Sequence, residues 1–181
     1  FTLAPGGRYY FDLSGMSIPG TVNSTLDGGT QTDGTLHYVP FTYVGTVDAY
    51  SLDSAADTDT TSYEHSLFIA NYNVTHFVSW DALDKQGLIF GKTYSSGSID
   101  YTMRAPSVGS GRTDSGESQR GTPLSNEWDK ILDKDSGYIK NWRDIGSWGQ
   151  DTLPNTLSNR VIRGRYDLPR KYAGANTTLS F

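Results

Sequence analysis

The stretch "RGTPLSNEWDKILDKDSGYIKNWRDIGSWGQD", Arg120 to Asp151, decides how this chain is read, because it holds three of the four tryptophans and two different kinds of local grammar. Its first half follows helix rules. Thr122 can cap a helix, and Pro123 would stand at the first helical position, where its missing N–H is no loss. Trp128, Ile131 and Leu132 then share one apolar stripe at i, i+3 and i+4. "DSG" at 135–137 ends it. The second half, "DSGYIKNWRDIGSWGQD", mixes Gly, Asn and Asp with aromatics and is expected to be loop.

A second short helix is expected at "SWDALDKQG". Ser79 can cap it, Trp80 and Leu83 share a face, and Gly87 sits where a helix ends. Everything else reads as short strands and loops. Strand candidates are Arg8–Leu13, one or two strands in His37–Leu52 broken near Pro40 and Gly45, Leu67–Ala70, Thr75–Val78, "LIFGKTY", "SIDYTMRAP", "NRVIRGRYDL" and the final "NTTLSF". Residues 19–36 and 107–121 are rich in Gly, Ser and Thr or charge and read as loops. The expected architecture is therefore α+β in one domain, 1–181, with two short helices, several short and mainly antiparallel strands, and long loops.

The totals bound the function. With 181 residues the chain can bury one sizeable core. Only 35% of residues are hydrophobic, so the 12 Tyr, 7 Phe and 4 Trp must supply much of that core. A net charge of −5 with no basic stripe argues against nucleic acid as a partner. The absence of Cys removes disulfides, thiolate metal sites and Cys nucleophiles. No apolar run nears the roughly 20 residues a spanning helix needs, so no membrane insertion is expected. The chain opens on "FTLAPGG" without Met, which suggests a processed protein or an excised domain, part of a longer surface protein.

Four segments then occur in a telling order: "VSWDAL" (Val78–Leu83), "GTPLSNEWDKIL" (Gly121–Leu132), "RDIGSWGQD" (Arg143–Asp151) and "NRVIRG" (Asn159–Gly164). This series resembles the formylglycine-generating-enzyme branch of the C-type-lectin-like fold, over residues 78–164. The final "NTTLSF" suits that fold, in which the terminal strands pair. The resemblance implies a scaffold and not the enzyme chemistry, which depends on cysteines. Arg165 replaces the second glycine of the family's "RGG". The Ca2+-dependent sugar motifs of animal C-type lectins are missing, and "EWD" at 127–129 lies inside an expected helix. In composition the chain is similar to the tip domains of intimin- and invasin-like bacterial adhesins. That implies an extracellular or cell-surface module that binds a host receptor or a glycan without catalysis.

Candidate sites follow from side-chain chemistry. Trp80 and Trp128 read as core. Tyr138, Asn141, Trp142, Arg143, Asp144, Trp148, Gln150 and Asp151 form the expected ligand-binding set, aromatic anchors beside hydrogen-bonding groups. No catalytic residue and no metal ligand is assigned, and no cofactor is expected. "DKDSG" at 133–137 resembles the start of a Ca2+ loop, but Asp144 stands where the loop's Glu belongs. His37, His65 and His76 have no metal-ligand spacing, and His65 beside Ser66 lacks a nucleophile elbow. The Ser- and Gly-rich 107–121 is no phosphate loop. Asn23, Asn73 and Asn176 fit the N-x-[ST] pattern. Two alternatives stand beside the recognition module: a carbohydrate-active hydrolase using two carboxylates, and a structural capping domain of a larger surface protein.

Overall fold

The computed structural model describes residues 3–23, 35–47, 50–51, 60–61, 64–109, 126–128, 146–152, 158–163 and 170–180. In chain order the elements are β1 (Arg8–Phe11), β2 (Thr21–Val22), β3 (Val39–Val47), β4 (Tyr50–Ser51), β5 (Thr60–Thr61), β6 (His65–Ala70), β7 (Thr75–Ser79), α1 (Trp80–Lys85), β8 (Lys92–Ser96), β9 (Ile99–Met103), β10 (Ser147–Thr152), β11 (Asn159–Arg163), β12 (Arg170–Gly174) and β13 (Thr178–Ser180). A single 3-10 turn, Ser14–Met16, follows β1.

The expected α+β class with two short helices is overturned. The protein is β-rich, built of small, mostly antiparallel sheets, with α1 the one α-helix among the described residues. Strands at both ends of the chain carry the sheets, and α1 is stopped after six residues by Gly87 at φ +73°. Of the second helix expected at 122–132, only Asn126, Glu127 and Trp128 are described, all three buried, with helical backbone at the last two; the rest lies outside the described residues.

Where the helix grammar does hold, it holds for the physical reason the sequence suggests. Ser79 accepts a hydrogen bond from the Ala82 N–H at 3.2 Å and caps α1. Trp80 and Leu83 turn inward, and Gly87 bonds back to the Asp84 carbonyl.

A three-stranded sheet runs β1-β3-β6 and a six-stranded sheet runs β12-β11-β10-β13-β7-β2. Within the larger sheet β13 lies antiparallel to β7 and parallel to β10, while β1 pairs with β3. β3 runs continuously through Pro40 and Gly45, where a break was expected. Pro40 sits near its start, opposite Tyr10, and a bulge at Val44 absorbs the irregularity, with Tyr43 paired to Phe68 and Gly45 to Leu67.

The main core gathers Leu13, Val39, Val78, Trp80, Leu83, Leu88, Ile89, Trp148 and Ile162, and a smaller cluster holds Leu67, Ile69, Val108, Trp128 and Val161. Two tryptophans lock β7 and α1 to β10 by exchanging bonds. The Trp80 indole N–H donates to the Gly149 carbonyl at 3.1 Å, and that of Trp148 donates to the Val78 carbonyl at 2.9 Å. Arg160 lays its guanidinium 3.8 Å from the Trp80 ring centre.

β10, "SWGQDT", is buried at all six residues, although its composition reads as loop. It survives inside because most of its polar groups find partners, Gln150 Oε1 being a buried atom that does not. Ser147 donates to the Asn73 side chain, Gln150 Nε2 to the Ile89 carbonyl, and Asp151 accepts the Val108 and Gly109 amides. Gly149 is needed there because a Cβ would lie 2.6 Å from Val108 Cγ1 and 2.9 Å from its Cβ. Gly149→Ala should therefore cost about 1–3 kcal/mol through overpacking. Urea denaturation measures it, and adding Val108→Ala should recover part of the loss.

Candidate functional site

The hairpin β8–β9 folds over β1 and the β3–β6 pair without joining either sheet. Its strands are in register with Tyr94 opposite Tyr101. Gly97 and Ser98 both take left-handed backbone at the tip, φ +57° and +64°, as a tight hairpin turn demands. The alternation along each strand turns Tyr94, Tyr101 and Met103 toward the protein. There they meet Phe11, which makes edge-to-face contacts with Phe41, Phe68, Tyr94 and Tyr101 at ring separations of 5.1–5.9 Å.

Beneath this hairpin lies a cleft of about 700 Å3. Among the described residues its walls come from β1, β6, β8 and β9, its floor from Val74, Trp128 and Trp148, and its rim includes Ile99. The lining is mostly carbon.

One end of the cleft is polar. Arg104, the residue after β9, forms a two-pronged pair with Glu127: Nη1 donates to Oε2 at 2.7 Å and Nη2 to Oε1 at 2.5 Å. Arg104 Nη2 also lies 3.1 Å from His65 Nε2, and that nitrogen is 3.6 Å from Glu127 Oε1. Ser107 fixes the other side of Glu127: its amide donates to Oε2 at 3.0 Å, and its hydroxyl accepts the Glu127 amide at 2.9 Å.

Burial alone would raise the Glu127 pKa. The Arg104 hydrogen bonds and charge, helped by His65 and the Ser107 amide, outweigh it and bring the carboxyl down from 4.5 to about 2. Asp12 is exposed, and hydrogen bonds from the Ser14 hydroxyl and amide, then His37, hold it at about 2 as well. Both carboxyls are therefore kept ionised, and neither has the raised pKa of a general acid.

The residues expected to bind ligand fall into two groups. Tyr138, Asn141, Trp142, Arg143 and Asp144 lie outside the described residues. Trp148, Gln150 and Asp151 are interior, at 1%, 0% and 4% exposure. They serve as core, as a tie to Ile89 and as a clamp on Val108 and Gly109, not as a surface. Trp148 does meet the cleft, as part of its floor. Arg163 holds the same loop from the other side, donating to the Val108 and Gly109 carbonyls.

Sequence reasoning missed Arg104, Glu127, Phe11 and Phe68. Glu127 had been read only as part of "EWD". A pairing across 23 residues leaves no local pattern. The hairpin left a signal in "YSSGSIDY", two aromatics placed symmetrically about a Gly-containing turn.

The other motifs resolve simply. His65 is committed to Arg104, and Ser66, next to it on a strand, points the other way, so they form no dyad. His37 faces Asp12 at 2.9 Å and His76 stacks on Phe77 at 4.5 Å. Asn23 and Asn73 are buried, with Asn23 Nδ2 donating to the Asn73 carbonyl at 2.8 Å, which closes both as glycan acceptors in the folded domain; Asn176 is exposed. "DKDSG" lies outside the described residues, among which no group of three or more potential metal ligands comes together. No helix among them is long and apolar enough to cross a membrane.

Phe77 is the extra residue of a bulge in β7, where Val78 pairs with Leu179 and His76 with Ser180. Its φ is +55°, a region costly for a ring-bearing residue, and it is 69% exposed. Phe77→Gly should hold or raise stability by up to about 1 kcal/mol. Thermal unfolding beside the parent checks it, and a clear drop would mean that the ring contact with His76 matters more than the backbone strain.

No protein-family model, no curated protein and no solved structure matches this chain.

Proposed function

We propose that this domain is a non-catalytic recognition module of an extracellular bacterial surface protein or secreted adhesin, binding a host receptor or surface glycan reversibly. The supporting observation is a concave, aromatic-walled cleft whose polar end is occupied by a closed Arg104–Glu127 pair. Such a pocket, apolar with a few placed polar groups, is the common form of a binding site. A purely structural cap has no use for one. A hydrolase would need a raised-pKa carboxylic acid, and Glu127, the carboxyl at the polar end of this cleft, is held low. The C-type-lectin-like resemblance of residues 78–164 points the same way. Tyr138, Asn141, Trp142, Arg143 and Asp144 remain proposed ligand-binding residues on their side-chain chemistry.

The test is a glycan array run beside a cell-binding assay, using the purified chain and Tyr101→Ala. We expect saturable binding in one or both, weakened at least tenfold by Tyr101→Ala, with the folded spectrum unchanged. Turnover of an array glycan, or binding indifferent to Tyr101, would overturn the reading.

A further inference from the structure

We propose that the cleft under the β8–β9 hairpin receives an uncharged aromatic side chain of a protein partner. The inference rests on the recognition reading and narrows it to one kind of ligand group.

Charge is the first argument. Both terminal nitrogens of Arg104 are taken by Glu127, and the carboxylate of Asp100 receives the Ser95 hydroxyl at 2.5 Å. A charged ligand group reaching the Arg104 end of this space would lose its water and meet two charges already neutralised by each other, which is unfavourable. An uncharged group loses nothing comparable.

The walls supply the second argument. A sugar ring offers several hydroxyls, each of which must find a partner once water is gone. It also favours a flat aromatic platform. Here the rings around Phe11 stand edge-to-face, at 75–84° to its plane, and the lining is mostly carbon. That is the arrangement into which a further aromatic ring fits, edge against face. A volume of about 700 Å3 is ample for one or two side chains.

Access is the third. A two-stranded ribbon is marginal by itself. This one is held over the cleft by Tyr94 and Tyr101 against Phe11 and Phe68, contacts that an incoming ring can replace in kind. Ile99, 52% exposed, stands at the rim as an apolar lead-in.

The experiment titrates the intact chain with 1-aminoanthracene, which is uncharged at neutral pH, following energy transfer from the tryptophans; Trp128 and Trp148 form the floor. N-acetyl-phenylalaninamide and N-acetylglucosamine serve as competitors. We expect one saturable site, emptied by the aromatic amide and untouched by the sugar. Ile99→Asp should weaken probe binding at least tenfold, and Ile99→Val should restore it. If Ile99→Asp lowers the unfolding midpoint, the uncharged Ile99→Gln replaces it with the same expected loss. Absence of a saturable site, displacement by the sugar, or equal affinity in the rim variants overturns the inference. If these fail while Tyr101→Ala still impairs cell or glycan binding, the recognition reading stands without it.

Discussion

Trp148→Ala is expected to lower stability by about 3–5 kcal/mol, enough to unfold a marginally stable domain. Two losses add. The indole is 1% exposed and packs in the main core, so its removal leaves a large cavity. Its N–H is also the donor to the Val78 carbonyl, and that buried oxygen would be orphaned. Trp148→Phe separates the two, because it keeps most of the ring and loses only the bond; about 1–2 kcal/mol is expected. Guanidinium denaturation of both variants gives the measurement. A Trp148→Ala protein with an unchanged midpoint would place the indole outside the core.

Glu127→Ala should be as damaging, about 3–5 kcal/mol, for an electrostatic reason. It would leave the Arg104 guanidinium, 10% exposed, without its counter-charge, and free the Ser107 amide. The double variant Glu127→Ala with Arg104→Met should recover much of the loss, since a missing pair is tolerated better than half a pair.

The same residue sets a pH dependence. Its folded pKa lies below its unfolded value, so the unfolded chain binds more protons in between. The pair's stabilisation is full above about 4.5 and fades as pH falls toward about 2. Unfolding midpoints measured across that window should fall with acid more steeply in the parent than in the double variant.

How much of this was readable differs element by element. α1 was legible because its signals are local: a Ser cap, an i, i+3 apolar pair and a terminating Gly within nine residues. β6, β7, β11 and β13 carried enough β-branched and aromatic side chains to stand out. β10 did not. Gly, Gln, Asp and Ser describe a loop by composition, and only long-range hydrogen bonds make them acceptable in the interior. Reading 135–157 as loop also removed an interior strand of the larger sheet, the one between β11 and β13, and so understated how much of the chain is sheet. Trp148, Gln150 and Asp151 have the chemistry of a binding surface, and burial, which composition cannot reveal, gives them other work.

The position of β13 bears on how the chain comes together in time. Residues 178–180 lie between β10 and β7, as the strip that joins two otherwise separate halves of one sheet. Until those residues emerge from the ribosome, β7 and β10 must wait with unsatisfied edges. Closure of this sheet is thus governed by contacts distant in sequence, a slow regime. Deleting 178–180 should leave two β-ribbons in search of a seam, prone to borrowing that strand from another copy.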